Sequence, residues 1–224
     1  MKFLKLAMIV GALALFTSPS LKAGTVTVNF SDCTQITPPL GTCPNADAGT
    51  NHLTYTSGGL VVNAFGFIPP STPEDLYVKN LGAGETGLGT VIDAADHEIT
   101  EQDFVNLDLS NLVANGIFSG VIQLQSLQAG EGYLLCQGSS DTTFGSNCLS
   151  THAFGAGTVD VAISWTGSTD VIGVMGIDDP STTTVGADVL ISSLTVPTPE
   201  PATLTLLGMG LFGLASIRRK VTKS

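Results

Sequence analysis

The chain has 224 residues, of which 12% are charged, with 8 Lys and Arg against 19 Asp and Glu. Seven of the eight basic residues lie at the two ends, so residues 24–197 hold Lys79 alone against 18 acids, a net charge of −17. A body like that has no cationic surface for phosphates, which excludes nucleic-acid binding, and attraction to anionic lipid is confined to the ends. Disorder is disfavoured as well, because apolar residues make up 43% of the chain and recur with strand periodicity.

Residues 1–23 have the three parts of a secretory signal. Lys2 and Lys5 form a positive start, 6–16 is an uninterrupted apolar run, and 17–23 is a short polar end. The run is too short to cross a hydrocarbon layer of about 30 Å. Cleavage is expected after Ala23, with a cut after Ser20 as the alternative. Export from the cytoplasm follows.

Residues 24–191 read as one all-β domain. Val26, Val28 and Phe30 alternate with Thr25, Thr27 and Asn29. Val105, Leu107 and Leu109 alternate with Asn106 and Asp108, and Val159, Val161, Ile163 and Trp165 alternate with polar or small neighbours. Period-two alternation marks strands with one buried and one wet face. Further strands are predicted over 60–68, 76–79, 116–127, 132–136, 171–177 and 187–196, separated by Gly, Pro, Asn, Asp and Ser clusters with turn chemistry. Many short strands without a fixed repeat predict an antiparallel β-sandwich, jelly-roll-like. From about residue 192 to 201 the composition changes, and this stretch reads as a linker.

Cys33, Cys43, Cys136 and Cys148 sit in this exported body. An even count in an oxidising compartment points to disulfides, and four cysteines allow three pairings. Cys33–Cys43 and Cys136–Cys148 are the economical choice, since each pair encloses a short loop-like segment. A zinc site is the competing reading, but the spacing lacks the tight Cys-x-x-Cys clusters such sites use.

The densest acidic run is Asp93, Asp96, Glu98, Glu101 and Asp103 around His97, preceded by a Gly-rich loop over 84–89. Calcium takes six to eight oxygen ligands, and Asp93, Asp96 and Glu98 are the residues that would supply them. The spacing is not that of an EF-hand, so a solvated acidic sheet edge is the simpler reading. The Gly-rich loop lacks the Lys-Ser/Thr of a phosphate loop and runs into acids, which repel phosphate. His52, His97 and His152 are scattered, no nucleophile motif accompanies them, and no catalytic residue is nominated. Asp178, Asp179 and Asp188 read as turn residues. Trp165 continues an apolar series and is expected in the core. Tyr55, Tyr77 and Tyr133 are the better candidates for stacking on a sugar ring.

The C-terminal end reads Pro199-Glu200-Pro201, then residues 202–217 without a charge, then Arg218-Arg219-Lys220. Sixteen residues at 1.5 Å each make a helix of about 24 Å, a short transmembrane span. The basic cluster in 218–224 would hold the C-terminus in the cytoplasm by the positive-inside rule. This layout resembles the PEP-CTERM sorting domain of exported bacterial proteins over residues 197–220, a tail also called the ice-binding protein C-terminal domain. That second label gives no reason to expect ice binding from this body. The resemblance implies an exosortase-type membrane enzyme as partner, with Pro199, Glu200 and Pro201 as its recognition residues and Arg218, Arg219 and Lys220 as the stop. A Gly-Leu-Gly loop followed by an Asp-His-Glu-Ile segment is also similar to segments in other proteins bearing this tail.

Together these features lead us to expect an exported, exosortase-sorted, non-enzymatic sandwich. It would be anchored by its C-terminal helix before processing and then reside at the cell surface or outside the cell, as a structural or adhesive component. A carbohydrate-binding module for extracellular polysaccharide, dependent on calcium, is the alternative.

Overall fold

A computed structural model describes residues 24–40, 43–82, 85–92, 96–149, 157–178 and 186–198. The expected signal peptide, membrane helix and basic tail lie outside the described residues. So do Asp93, Pro199, Glu200 and Pro201. Residues 25–199 form one compact unit.

Two antiparallel sheets make up this unit. Sheet I runs, in spatial order, through β12 (Gly157–Ser164), β9 (Ser119–Leu127), β14 (Leu190–Pro197), β7 (Thr86–Thr90), β6 (Leu76–Asn80) and β2 (Ala46–Asp47), and β1 (Thr25–Asn29) also pairs with β14. Sheet II runs through β11 (Asn147–Leu149), β10 (Glu131–Gly138), β13 (Val171–Asp178), β8 (Phe104–Asp108), β4 (Leu60–Ile68) and β3 (His52–Ser57), with β5 (Thr72–Pro73) beside β4. A short α-helix, α1 (Ser110–Ala114), follows β8.

The two sheets face each other across one core. Sheet I contributes Val28, Val78, Leu88, Ile122, Leu124 and Leu194; sheet II contributes Leu53, Val62, Leu107, Leu135, Ile172 and Val174. Cross-strand rows such as Leu53, Ala64, Leu107 and Ile172 fall on one face because side chains alternate along each strand. Withdrawing each such Leu, Ile or Val from water stabilises by roughly 1.5–3 kcal/mol, and the sandwich exists because neither sheet can cover its apolar face alone. Trp165 belongs to this core, and its indole N–H donates to the Ile117 carbonyl at 2.9 Å.

From β7 onward the chain crosses between the sheets at every step except the β10–β11 hairpin. The result is the order β7-β14-β9-β12 in sheet I and β8-β13-β10-β11 in sheet II.

Three expectations are corrected. Residues 192–197 are not linker: they form most of β14, which is paired with β1 and β9. The Gly-rich loop over 84–89 is largely strand β7, and its glycines have a packing reason given below. Tyr55 and Tyr133 are buried, 0% and 3% exposed, so neither presents a ring to a sugar. The Tyr55 hydroxyl donates to the Phe30 carbonyl, and burial pushes its proton affinity up.

Candidate functional site

The segment around His97 and Glu98 lies on the outer face of sheet I, and strand β7 shows why. Leu88 points into the core, so Gly87 and Gly89 on either side of it point outward. A Cβ on Gly89 would collide with the His97 carbonyl oxygen, and one on Gly87 would come within 2.7 Å of the Ile191 carbonyl. Glycine here is a requirement of close backbone approach. The overlying segment is fixed by paired Ile99 and Val189 hydrogen bonds of 2.9 and 3.1 Å and by the Thr90 hydroxyl donating to the Glu98 carbonyl at 3.0 Å. His97 has φ 60° and its ring stacks on Tyr77, with centroids 4.0 Å apart. Asp103, fully buried, accepts from the Thr90 hydroxyl and from the Thr100 N–H and hydroxyl, both at 2.6 Å.

Lys79, the body's one basic residue, leaves β6 on the same outer face and is sealed under this segment at 3% exposure. Its Nζ donates to Glu98, which is 2% exposed, and lies 2.5 Å from Glu85 Oε2. The Ser126 hydroxyl donates to Glu98 Oε1 at 2.7 Å. Two carboxylates therefore share one ammonium. Burial pushes Glu98 up to about 7 despite the opposing pull of Lys79 and Ser126. Glu85, more exposed, is held low by its hydrogen bond to Lys79. Burial pulls Lys79 down, but its bonds to Glu85 and Glu98 outweigh that and leave it raised. Glu98 Oε2 is buried without a hydrogen-bond partner. The chemistry of this cluster is that of a latch: its charges hold the 96–100 segment to the sheet, and those of Lys79 and Glu98 are withdrawn from solvent.

Beside the latch is an open cleft of about 420 Å³, lined by Asp96, Thr100, Glu101, Gln102, Asp178 and Asp188 among others. The Asp178 N–H donates to Glu101 Oε1 at 3.0 Å. Glu131 stands close enough for Asp188 and Asp178 to act on it, and burial, more than those charges, pushes it up to about 7. The fold thus joins two acidic stretches that are remote in sequence, one around residues 96–103 and one around 178–188. No local spacing could signal this, because the contact runs between the end of β13 and the overlying segment. The residues nominated for calcium are separated in role. Asp96 lines the cleft and Glu98 turns to Lys79. Among the described residues no group of three or more His, Cys, Asp or Glu is placed to hold a metal ion.

Both disulfides form in the expected pairing, Cys33–Cys43 and Cys136–Cys148. The second closes the β10–β11 loop, which folds over the outer face of sheet II. There Asn106 Nδ2 donates to the Asp141 and Thr143 carbonyls at 3.0 and 3.1 Å, and Phe144 packs against Phe104. Asn106, expected on a wet face, is fully buried for this reason. An aromatic ledge that alternation did not reveal lies on the same outer face toward the β3 edge, where exposed His52 stacks on Phe65 with centroids 4.4 Å apart and Phe65 lies opposite Asn106 in register.

No curated protein and no solved structure matches the chain at a significant level. The family model for the PEP-CTERM protein-sorting motif matches residues 197–220, which include Pro199, Glu200, Pro201, Arg218, Arg219 and Lys220, so the chain carries that sorting motif at its C-terminal end.

Proposed function

We propose that this is an exported protein, sorted through its C-terminal motif by an exosortase-type membrane enzyme. Its body is then a non-enzymatic, jelly-roll sandwich that serves as a structural or adhesive component of the cell envelope or extracellular matrix. The observation that carries the reading is the sorting-motif match at residues 197–220. The secretory layout of residues 1–23 and two disulfides, which persist in oxidising compartments, support it. The interleaved strand order supports the jelly roll: the last strand, β14, lies between β7 and β9, as in two Greek keys wound together. The non-enzymatic reading rests on the lack of a nucleophile motif in the sequence and on the closed setting of Glu98, whose shifted proton is out of reach of a substrate.

Replacing Pro199, Glu200 and Pro201 together by alanine tests the sorting claim. The variant is expected to accumulate in the membrane as a longer precursor. If it reaches the same destination with the same mass as the parent protein, the reading is wrong.

A second reading, binding of extracellular polysaccharide with calcium as its ion, draws on the exposed His52–Phe65 stack and the acidic cleft. Retention of the protein on the producing cells' own polysaccharide, lost with His52→Ala or with chelator, would favour it.

A further inference from the structure

Sheet edges are ready-made templates for pairing with another strand, and stable proteins close them with short strands, covering segments or charge. Most edges here are closed. Strand β2 has two residues, β5 has two including Pro73, and β11 has three and is tied to β10 by Cys136–Cys148. The outer side of β3 is met by the 36–37 segment, whose Thr37 N–H donates to the Thr54 carbonyl at 2.8 Å. On β1, the Asn29 N–H donates to Gln35 Oε1 and the Thr27 carbonyl accepts from Ser57.

β12 differs. It has eight residues, pairs with β9 on one side, and among the described residues has no strand on the other. It contains no Lys, Arg or Pro. Its one charge, Asp160, already accepts from Gln123 Nε2 within the same sheet at 2.9 Å. Val159 and Val161 face the core but are only partly covered. An added strand would finish covering them.

We infer that β12 is a self-association edge, pairing antiparallel with β12 of a second copy about a two-fold axis at Val161. The strand's own sequence selects this occupant. With Val161 opposite Val161, Asp160 faces Ala162, Thr158 faces Ser164 and Val159 faces Ile163, so apolar meets apolar on the inner face and no like charges are opposed. A shift that centres the axis on Asp160 would set two carboxylates against each other, which is destabilising. The pairing is isologous and uses up the open edge of each copy, so assembly closes at a dimer. Two bodies of −17 repel at long range, and salt screens that repulsion. Dimerisation therefore strengthens as ionic strength rises. The inference concerns the body alone and stands whether or not the sorting reading holds.

Sedimentation of the full chain in detergent, at low and high salt, tests the edge with a charge-swap set. The parent is expected to show a monomer–dimer equilibrium favoured by salt. Ala162→Asp, which opposes Asp160 of the other copy at two places, should weaken it about tenfold. Asp160→Lys combined with Ala162→Asp should restore it, and recovery in the double variant separates pairing from misfolding. The hydrophobic tail is identical in all three and cannot produce that pattern. A chain that stays monomeric at every salt, dimerises equally in all three forms, or grows into fibres overturns the inference.

Discussion

The Lys79 ammonium and the Glu98 carboxyl group are hydrogen-bonded at a site where both side chains are almost wholly withdrawn from water, at 3% and 2% exposure. Such a pair gains little net stability, because desolvation offsets attraction, but losing one partner is costly. Lys79→Met leaves Glu85 and Glu98 facing each other without a cation and is expected to destabilise by about 3 kcal/mol. Urea unfolding checks this, and a loss below about 1 kcal/mol would show that the pair behaves as a surface bridge.

Glu98 also sets a pH dependence. Its folded value, about 7, lies above its ordinary 4.5, so the folded protein holds a proton there that the unfolded chain releases. That contribution is fully present below pH 4.5 and is lost as pH rises through 7. Glu131, also pushed up to about 7 by burial, acts in the same sense. Glu85 and Asp32, held low by hydrogen bonds from Lys79 and Thr34, act oppositely and in a more acidic range. Stability should therefore fall between about pH 5 and 8, by on the order of 2 kcal/mol. Glu98→Gln should flatten part of that slope. Stability that rises over this interval would refute the assignment.

Gly89→Ala should cost about 2–4 kcal/mol, because the overlying backbone at His97 and Glu98 has to move away from the new methyl group. Gly116, at φ +75° with nothing within 4 Å of its added Cβ, gives the contrast. Gly116→Ala should cost only about 1 kcal/mol, for the left-handed backbone alone. Equal costs at the two sites would mean that the 96–100 segment is not packed against β7.

The Cys136–Cys148 bridge spans a separation of 12 residues. Replacing both cysteines by serine should destabilise by roughly 3 kcal/mol. Asn106→Leu should do so by about 1–3 kcal/mol, since the Asp141 and Thr143 carbonyls lose their buried donor. If the loop is held by the bridge and by Asn106 together, the two losses will not add, because they anchor the same element.

Strands that alternate cleanly were legible. The series Val159, Val161, Ile163 coincides with β12, whose other face is small or polar, and residues 60–68 coincide with β4 as a nearly continuous apolar run bounded by turn residues. β7 was not legible. Thr-Gly-Leu-Gly-Thr carries one apolar residue, and its glycines read as a loop until the overlying backbone is seen. β3 was missed because its outward residues and its inward Leu53 and Tyr55 make only a short alternation beside a Gly-rich turn. The strand expected over 187–196 matches most of β14, and only the linker expected from residue 192 overlapped it, because Ser192 and Ser193 are polar.

The sequence by itself carried the sorting tail and the all-β class, pointed to export, and made the observed disulfide pairing the economical choice among three. Each of these is written in local composition or short-range spacing, which is why it survives without coordinates. The tertiary structure decided the fate of the charges. It sealed Lys79 beneath the 96–100 segment and gave it two glutamates, and it drew Glu98 away from Asp96. It also assembled the acidic cleft from segments far apart in the chain and left β12 as the long open edge among the described strands. Those outcomes depend on which strand lies beside which and on what covers each face, and no window of sequence contains that information.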